Sequence, residues 1–189
     1  MKLESLVGTP RIEVIKSSVI STNSLPGVCA EIGVYKGGTA QIIAENTQKK
    51  LYLCDTFTGL PYWDSAIDGT AHKVGSFSKI TEEEHGKFLF YISKKSNIHL
   101  CKGIFPEETG KFLEDEIFSF VHLDVDSYLS YINCLNFFYT RIVPGGIIIF
   151  DDYNASTCPG AKVAVDEFFS DKPEKIIPTA ECQAMIIKL

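Results

Sequence analysis

Acidic residues stand where short apolar runs stop. The run Phe118–Leu123 ends in Asp124-Val125-Asp126, and the run Gly146–Phe150 ends in Asp151-Asp152. As neighbouring parallel strands the two runs would lie about 4.8 Å apart, with both acidic pairs at one carboxyl edge. Four carboxylates there repel unless a cation or a shared proton joins them. Oxygen donors of this kind suit Mg²⁺, which keeps water or substrate oxygens in its remaining positions. Capping the following helices is the plainer role for one or two of them, but it does not account for all four.

Two earlier signals accompany this one. Glu31-Ile32-Gly33-Val34-Tyr35-Lys36-Gly37-Gly38-Thr39 reads as a strand, a glycine turn and a helix start. Glycine lets a ligand approach the backbone, and a helix N-terminus offers free N–H groups; a tight turn that merely needs glycine reads equally well. The Gly-x-x-x-Gly spacing is not the dinucleotide pattern, and Glu31 puts negative charge beside the turn, which suits a cationic ligand better than a pyrophosphate. Asp55 closes the run Leu51–Cys54, 22 residues after Gly33, near the spacing at which an acidic residue takes a ribose diol. Its alternative is a helix cap or turn residue. His122, Tyr128 and Tyr153 flank the acidic edge; His122 reads as a bonded core histidine, and packing suits the tyrosines as well as an acceptor does. Tyr62 and Trp63 read as a lid hydrophobe or a stacking surface, and Lys36 as a solvated lysine.

Positioning these groups requires strands that alternate with helices. Candidate strands are Val28–Ile32, Lys50–Cys54, Ile98–Cys101, Phe118–Leu123, Gly146–Phe150, Lys175–Pro178 and Ala184–Lys188. Helices are expected over Thr39–Asn46, from the capping-box spacing Thr81…Glu84 to about Lys95, over Ser127–Arg141, and over Gly160–Ser170 with Val163 and Phe168 toward the sheet. Pro144-Gly145-Gly146 reads as a stop signal. The pattern predicts an α/β fold with a mainly parallel sheet. Residues 1–26 read as an N-terminal helical segment, and 56–80, too long for a simple strand-to-helix loop, as a lid or insert in one domain over 1–189.

Composition narrows the function classes. With 18 basic and 24 acidic residues the net charge is −6, which argues against a nucleic-acid surface. The longest apolar run is far too short to span a bilayer, and no signal-peptide pattern is visible. Six cysteines without a Cys-x-x-Cys pair or zinc-like spacing suggest reduced thiols in a cytoplasmic protein.

Together AEIGVYKGGTA, LYLCDTFTGLP, KGIFPE, FVHLDVDSY, VPGGIIIFDDY and CPGAKVAVDEFF, in this order across about Ala30 to Phe169, resemble class I S-adenosylmethionine-dependent methyltransferases. Within that class the sequence is most similar to the macrocin O-methyltransferase family (TylF/MycF type). The resemblance implies a Rossmann-like three-layer sandwich, with a mainly parallel seven-stranded sheet and an antiparallel C-terminal strand. It implies Glu31, Gly33 and Gly37 along the methionine part of the cofactor, Asp55 on the ribose, and Gly103 and Phe105 along the adenine. It assigns Asp124, Asp151 and Asp152 to Mg²⁺, Asp124 also to the cofactor pocket, and Asp126 to the general base. By the same analogy the acceptor is a small-molecule hydroxyl, that of a sugar, with no nucleic-acid or membrane partner, and the self-association common in the family implies a homodimer. Two departures leave the acceptor unread: about 27 residues precede the first strand where relatives carry more, and Pro61 to Ile80 aligns poorly. A haloacid-dehalogenase-type phosphotransferase also uses Asp-x-Asp and Asp-Asp on Mg²⁺, but earlier in its chain, and it leaves Glu31 and Asp55 unexplained. A non-catalytic cofactor-binding module leaves the acidic set without a purpose.

Overall fold

The computed structural model describes residues 2–189. Elements run α1 (Thr9–Thr22), β1 (Val28–Ile32), α2 (Gly38–Asn46), β2 (Leu51–Asp55), α3 (Glu82–Ile92), β3 (Ile98–Lys102), β4 (Phe118–Leu123), α4 (Tyr128–Phe138), β5 (Ile142–Phe150), α5 (Pro159–Phe169), β6 (Ile177–Pro178) and β7 (Ala184–Ile187). They form one seven-stranded sheet in the order β3-β2-β1-β4-β5-β7-β6. The first five strands are mutually parallel, and β7 runs antiparallel to both β5 and β6. The expected Rossmann-like sheet is therefore present. Its order turns back at β1 and β4, where a crevice opens at the carboxyl edge.

Strand alternation decides which helices cover each face. Ala30, Ile32, Val121 and Leu123 belong to the core shared with Tyr131, Leu135 and Phe138 of α4 and Val165 and Phe169 of α5. Cys29, Phe120 and Ile149 belong to the core shared with Ile15 and Val19 of α1, Ile43 of α2 and Phe88 of α3. The sheet is buried on both sides, which accounts for its unbroken apolar runs.

Three local expectations need correction. Pro144-Gly145-Gly146 does not precede the strand; it lies inside β5, where the register against β4 shifts and Gly145 adopts φ +81. An irregularity of this kind absorbs a proline that a regular ladder would reject. On α5, Val163 points outward at 44% exposure, while Ala161, Ala164, Val165 and Phe169 face the sheet at helical spacing. The α3 capping box forms, with Thr81 Oγ1 accepting from the Glu84 N–H at 3.2 Å and Glu84 Oε2 accepting from the Thr81 N–H at 2.8 Å, but the helix stops at Ile92.

Residues 56–80 contain no helix or strand. Their ends are joined by the Leu60 and Gly75 amides, bonded to Ser76 and Leu60 carbonyls at 2.9 Å each. Buried Asp68 ties the segment to the core by accepting the Tyr128 N–H at 2.7 Å and the Asp64 N–H at 2.9 Å. The Trp63 indole donates to the Gly69 carbonyl at 2.9 Å, and its ring packs on the core beneath. All six cysteines are unpaired, and no described helix is long and apolar enough to cross a membrane.

Asp68→Ala leaves the first amide of α4 without its partner. A stability loss of about 1–3 kcal/mol in urea unfolding is expected, with faster proteolysis inside 56–80. Unchanged cleavage in that segment would show that Asp68 does not hold it.

Candidate active site

A cavity of about 360 Å³ opens at the carboxyl edge between β1, β4 and β5. Its wall includes Gly33, Asp55, Gly103, Phe105, Asp124, Asp126, Asp151 and Asp152, so eight of the ten residues expected at the site meet there. Parallel register is the cause. Ile32 lies beside Leu123, and Leu123 beside Phe150, so the residues that follow each strand leave the sheet together.

Gly33 sits where no other residue fits. Its φ is +88, and a Cβ would lie 1.8 Å from the Asp124 carbonyl oxygen. The glycine turn is thereby pressed against the acidic turn after β4. Asp55 secures it from the other side: Oδ2 accepts the Val34 and Tyr35 N–H groups at 2.7 Å each, and Oδ1 accepts the Phe57 N–H at 2.6 Å. Asp55 is thus both a wall residue and the anchor of the turn.

Glu31 and Gly37 are not on the wall. Alternation along β1 turns Glu31 toward the α1–α2 layer, where it is fully buried against His122. Gly37, at φ +83, faces α3, and a Cβ there would lie 2.2 Å from the Phe88 ring. Its neighbour Gly38 lines the cavity in its place.

The acidic residues fall into two groups. Asp124, Asp151 and Asp152 each offer an oxygen within 4.8 Å of the others. Burial pushes the Asp124 and Asp152 carboxyls well above the usual range, and the neighbouring aspartates push them further. Tyr131 OH donates to Asp152 Oδ2 at 3.1 Å. Asp151 is held down instead: burial opposes its ionisation, but His122, Arg11 and Gln183 outweigh it. Gln183 Nε2 donates to Asp151 Oδ1 at 2.8 Å, and the Arg11 guanidinium pairs with Oδ2 while its Nε donates to Glu181 at 2.9 Å. Asp126 lies with His72 and Cys158 in the second group, whose ligand atoms are also within 4.8 Å. The Cys158 thiol donates to Asp126 Oδ1 at 3.2 Å, and the Asp126 N–H donates to Asp152 Oδ2 at the same distance.

His122 links the acidic edge to the core. Nδ1 donates to Glu31 Oε1 at 3.1 Å and Nε2 to Asp151 Oδ1 at 3.4 Å, with all three residues buried. Burial works against its charge, yet Asp151 and Glu31 prevail and raise its pKa to about 10. It is a bonded core histidine, as its place on the strand suggested, and its two acidic neighbours favour the imidazolium form. Glu31 Oε2 is buried without a hydrogen-bond partner.

Arg11, His72 and Gln183 lie outside the motifs, Cys158 opens the stretch CPGAKVAVDEFF, and none of the four is among the expected site residues. Arg11 meets Asp151 from 140 positions away. Cys158 alone left a trace, since Pro159-Gly160 marks a helix start and the residue before such a start sits at the sheet edge.

Comparison with known proteins places these features in context. The family model described as macrocin-O-methyltransferase (TylF) matches residues 3–177. The chain is 28% identical over 180 residues to demethyldecarbamoylnovobiocin O-methyltransferase of Streptomyces niveus, covering 87% of this chain and 67% of the relative. It is 23% identical over 180 residues to the 8-demethyl-8-(2,3-dimethoxy-alpha-L-rhamnosyl)-tetracenomycin-C 4'-O-methyltransferase of Streptomyces olivaceus, covering 83% and 65%. The chain thus spans about two thirds of the length of these curated relatives. Its fold matches the structure of the O-methyltransferase NovP with TM-score 0.82 and 24% identity, covering 97% of this chain and 81% of that one. A calicheamicin methyltransferase matches with TM-score 0.77 and 18% identity, covering 94% and 77%.

His122→Gln removes the one cation between Glu31 and Asp151. We expect it to destabilise the protein by about 3–5 kcal/mol in urea unfolding, the scale for breaking a buried ion pair. A loss below about 1 kcal/mol would contradict the bridging charge.

Proposed function

Because this chain belongs to the macrocin O-methyltransferase family, we propose that its methyl acceptor is a sugar hydroxyl and that Mg²⁺ assists the transfer. The family's enzymes are S-adenosylmethionine-dependent O-methyltransferases, and this chain is one of them. The phosphotransferase and binding-module alternatives give way to that membership. The observation that carries the rest is the pairing on one cavity wall of a glycine turn with a cluster of carboxylates that lacks enough positive charge.

The donor set fits a hard divalent cation. It is all oxygen, and two of its three carboxyls are driven toward the neutral form in the absence of a cation. Asp124, Asp151 and Asp152 would hold the ion, and Mg²⁺ there would supply positive charge that favours the deprotonated acceptor hydroxyl. The cavity volume suits a cofactor that brings an electrophilic methyl group on a sulfonium. Gly33 and Gly38 would lie along its amino-acid end, Asp55 at the ribose, and Gly103 and Phe105 at the base. Asp124, next to the glycine turn, would serve the cofactor pocket as well as the metal.

The remaining work belongs to side chains already in place. A carboxylate oxygen of Asp126 would take the proton of the acceptor hydroxyl. Its left-handed backbone, φ +59, and the bond from its N–H to Asp152 hold that carboxylate next to the metal ligands. Leu60, His72 and Phe77 of the 56–80 segment also line the cavity, where they would exclude water and pack on the apolar face of a sugar. The relative named for a rhamnosyl-tetracenomycin supports this acceptor class. The six unpaired thiols support a cytoplasmic enzyme.

Methyl transfer from radiolabelled S-adenosylmethionine to a panel of sugar-bearing natural products and nucleotide sugars tests the reading. Asp126→Asn should lower turnover about 10²–10⁴-fold and leave Mg²⁺ affinity nearly unchanged. A large loss of Mg²⁺ affinity instead would make Asp126 a ligand. Asp124→Asn should abolish the response to Mg²⁺ while S-adenosylhomocysteine still binds in calorimetry. Full Mg²⁺-dependent turnover in that variant would remove Asp124 from the metal site.

A further inference from the structure

We propose that His72, Asp126 and Cys158 form a second metal site, one that takes a borderline-soft divalent cation such as Zn²⁺ and staples the 56–80 segment to the core. The three side chains come from separate places: the inserted segment, the turn after β4, and the residue that precedes α5. Their nitrogen, oxygen and sulfur atoms lie within 4.8 Å of one another. Tetrahedral zinc with bonds of roughly 2.0–2.3 Å needs ligand atoms about 3.3–3.8 Å apart, so a small inward movement suffices. The Cys158 Sγ to Asp126 Oδ1 separation is already 3.2 Å.

The surroundings favour such an ion. Cys158 is buried, whereas His72 and Asp126 are half-buried on the cavity wall, which leaves a fourth position open to the cavity. The His72 ring is held between Trp63 and Phe77, at centroid distances of 5.4 and 4.9 Å. Burial and the nearby Asp126 and Asp152 push the Cys158 thiol well above its usual range, so the incoming cation itself must displace the proton. Donor chemistry also separates the two sites. Three carboxylates suit Mg²⁺, and a nitrogen–oxygen–sulfur set suits Zn²⁺. On binding, the Cys158 S–H bond breaks, its proton leaves to solvent, and the sulfur donates its electron pair to the metal with no change of oxidation state. If Asp126 is the base proposed above, a filled site engages it and stops turnover.

Cobalt(II) titration of the full chain, saturated with Mg²⁺, reads the coordination without any assay of turnover. A sulfur-to-cobalt charge-transfer band is expected in the near ultraviolet, absent in Cys158→Ser and retained in Cys182→Ser, the other thiol near Asp151. His72→Asn should weaken cobalt binding by more than about 100-fold, above the usual effect of an outer-shell change. It supplies a second test should Cys158→Ser fail to fold. A spectrum without the band, or a band lost in Cys182→Ser instead, overturns the site. Either result leaves the methyl-transfer reading intact.

Discussion

A single imidazolium holds the acidic edge of this sheet together. Glu31, Asp124, Asp126, Asp151 and Asp152 crowd the ends of three neighbouring strands, with the charges of His122 and Arg11 beside them. His122 can bridge because β1 and β4 pair Glu31 directly with it, and because alternation sends both side chains to the α1–α2 face. Glu31 and Asp151 thereby share one positive charge from inside the core, and Arg11 adds a second at Asp151. Asp124 and Asp152 remain undercompensated, and they face the cavity. An excess of buried negative charge has to be relieved by protons or by a cation.

The same register that gathers the charge also shapes the pocket. Gly33 is pressed onto the Asp124 carbonyl, so the glycine turn after β1 and the acidic turn after β4 form one packed unit. Asp55 fixes the glycine turn through three amides, and Asp68 fixes the inserted segment through the first amide of α4. Carboxylates in this protein therefore do two jobs. Some create the site's electrostatics, and others hold backbone amides so that the wall keeps its form.

Much of this was legible in the sequence. Unbroken apolar runs, the capping box at Thr81 and the Asp-x-Asp and Asp-Asp strand ends led to the sheet, its helices and the acidic edge, because each reflects a local rule. The losses have specific causes. Glu31 was read toward the cavity because the motif beside it suggested a ligand, whereas alternation fixes its side chain on the other face. Gly37 was read as a ligand contact, but Phe88, 51 positions later in the chain, is what requires a glycine there. Arg11, His72 and Cys158 were missed because they meet the site only through tertiary packing. The Pro-Gly-Gly signal in β5 was taken as a break, since sequence alone does not distinguish a bulge from a stop.

The account turns on whether the acidic edge binds a cation as part of its design. Thermal unfolding of the wild-type chain across a Mg²⁺ titration tests this most directly, without any knowledge of the acceptor. Stabilisation should grow with concentration and reach about 2.7 kcal/mol at a hundred times the dissociation constant, and Asp124→Asn should flatten the response. A wild-type unfolding midpoint that stays constant across the titration would contradict the account.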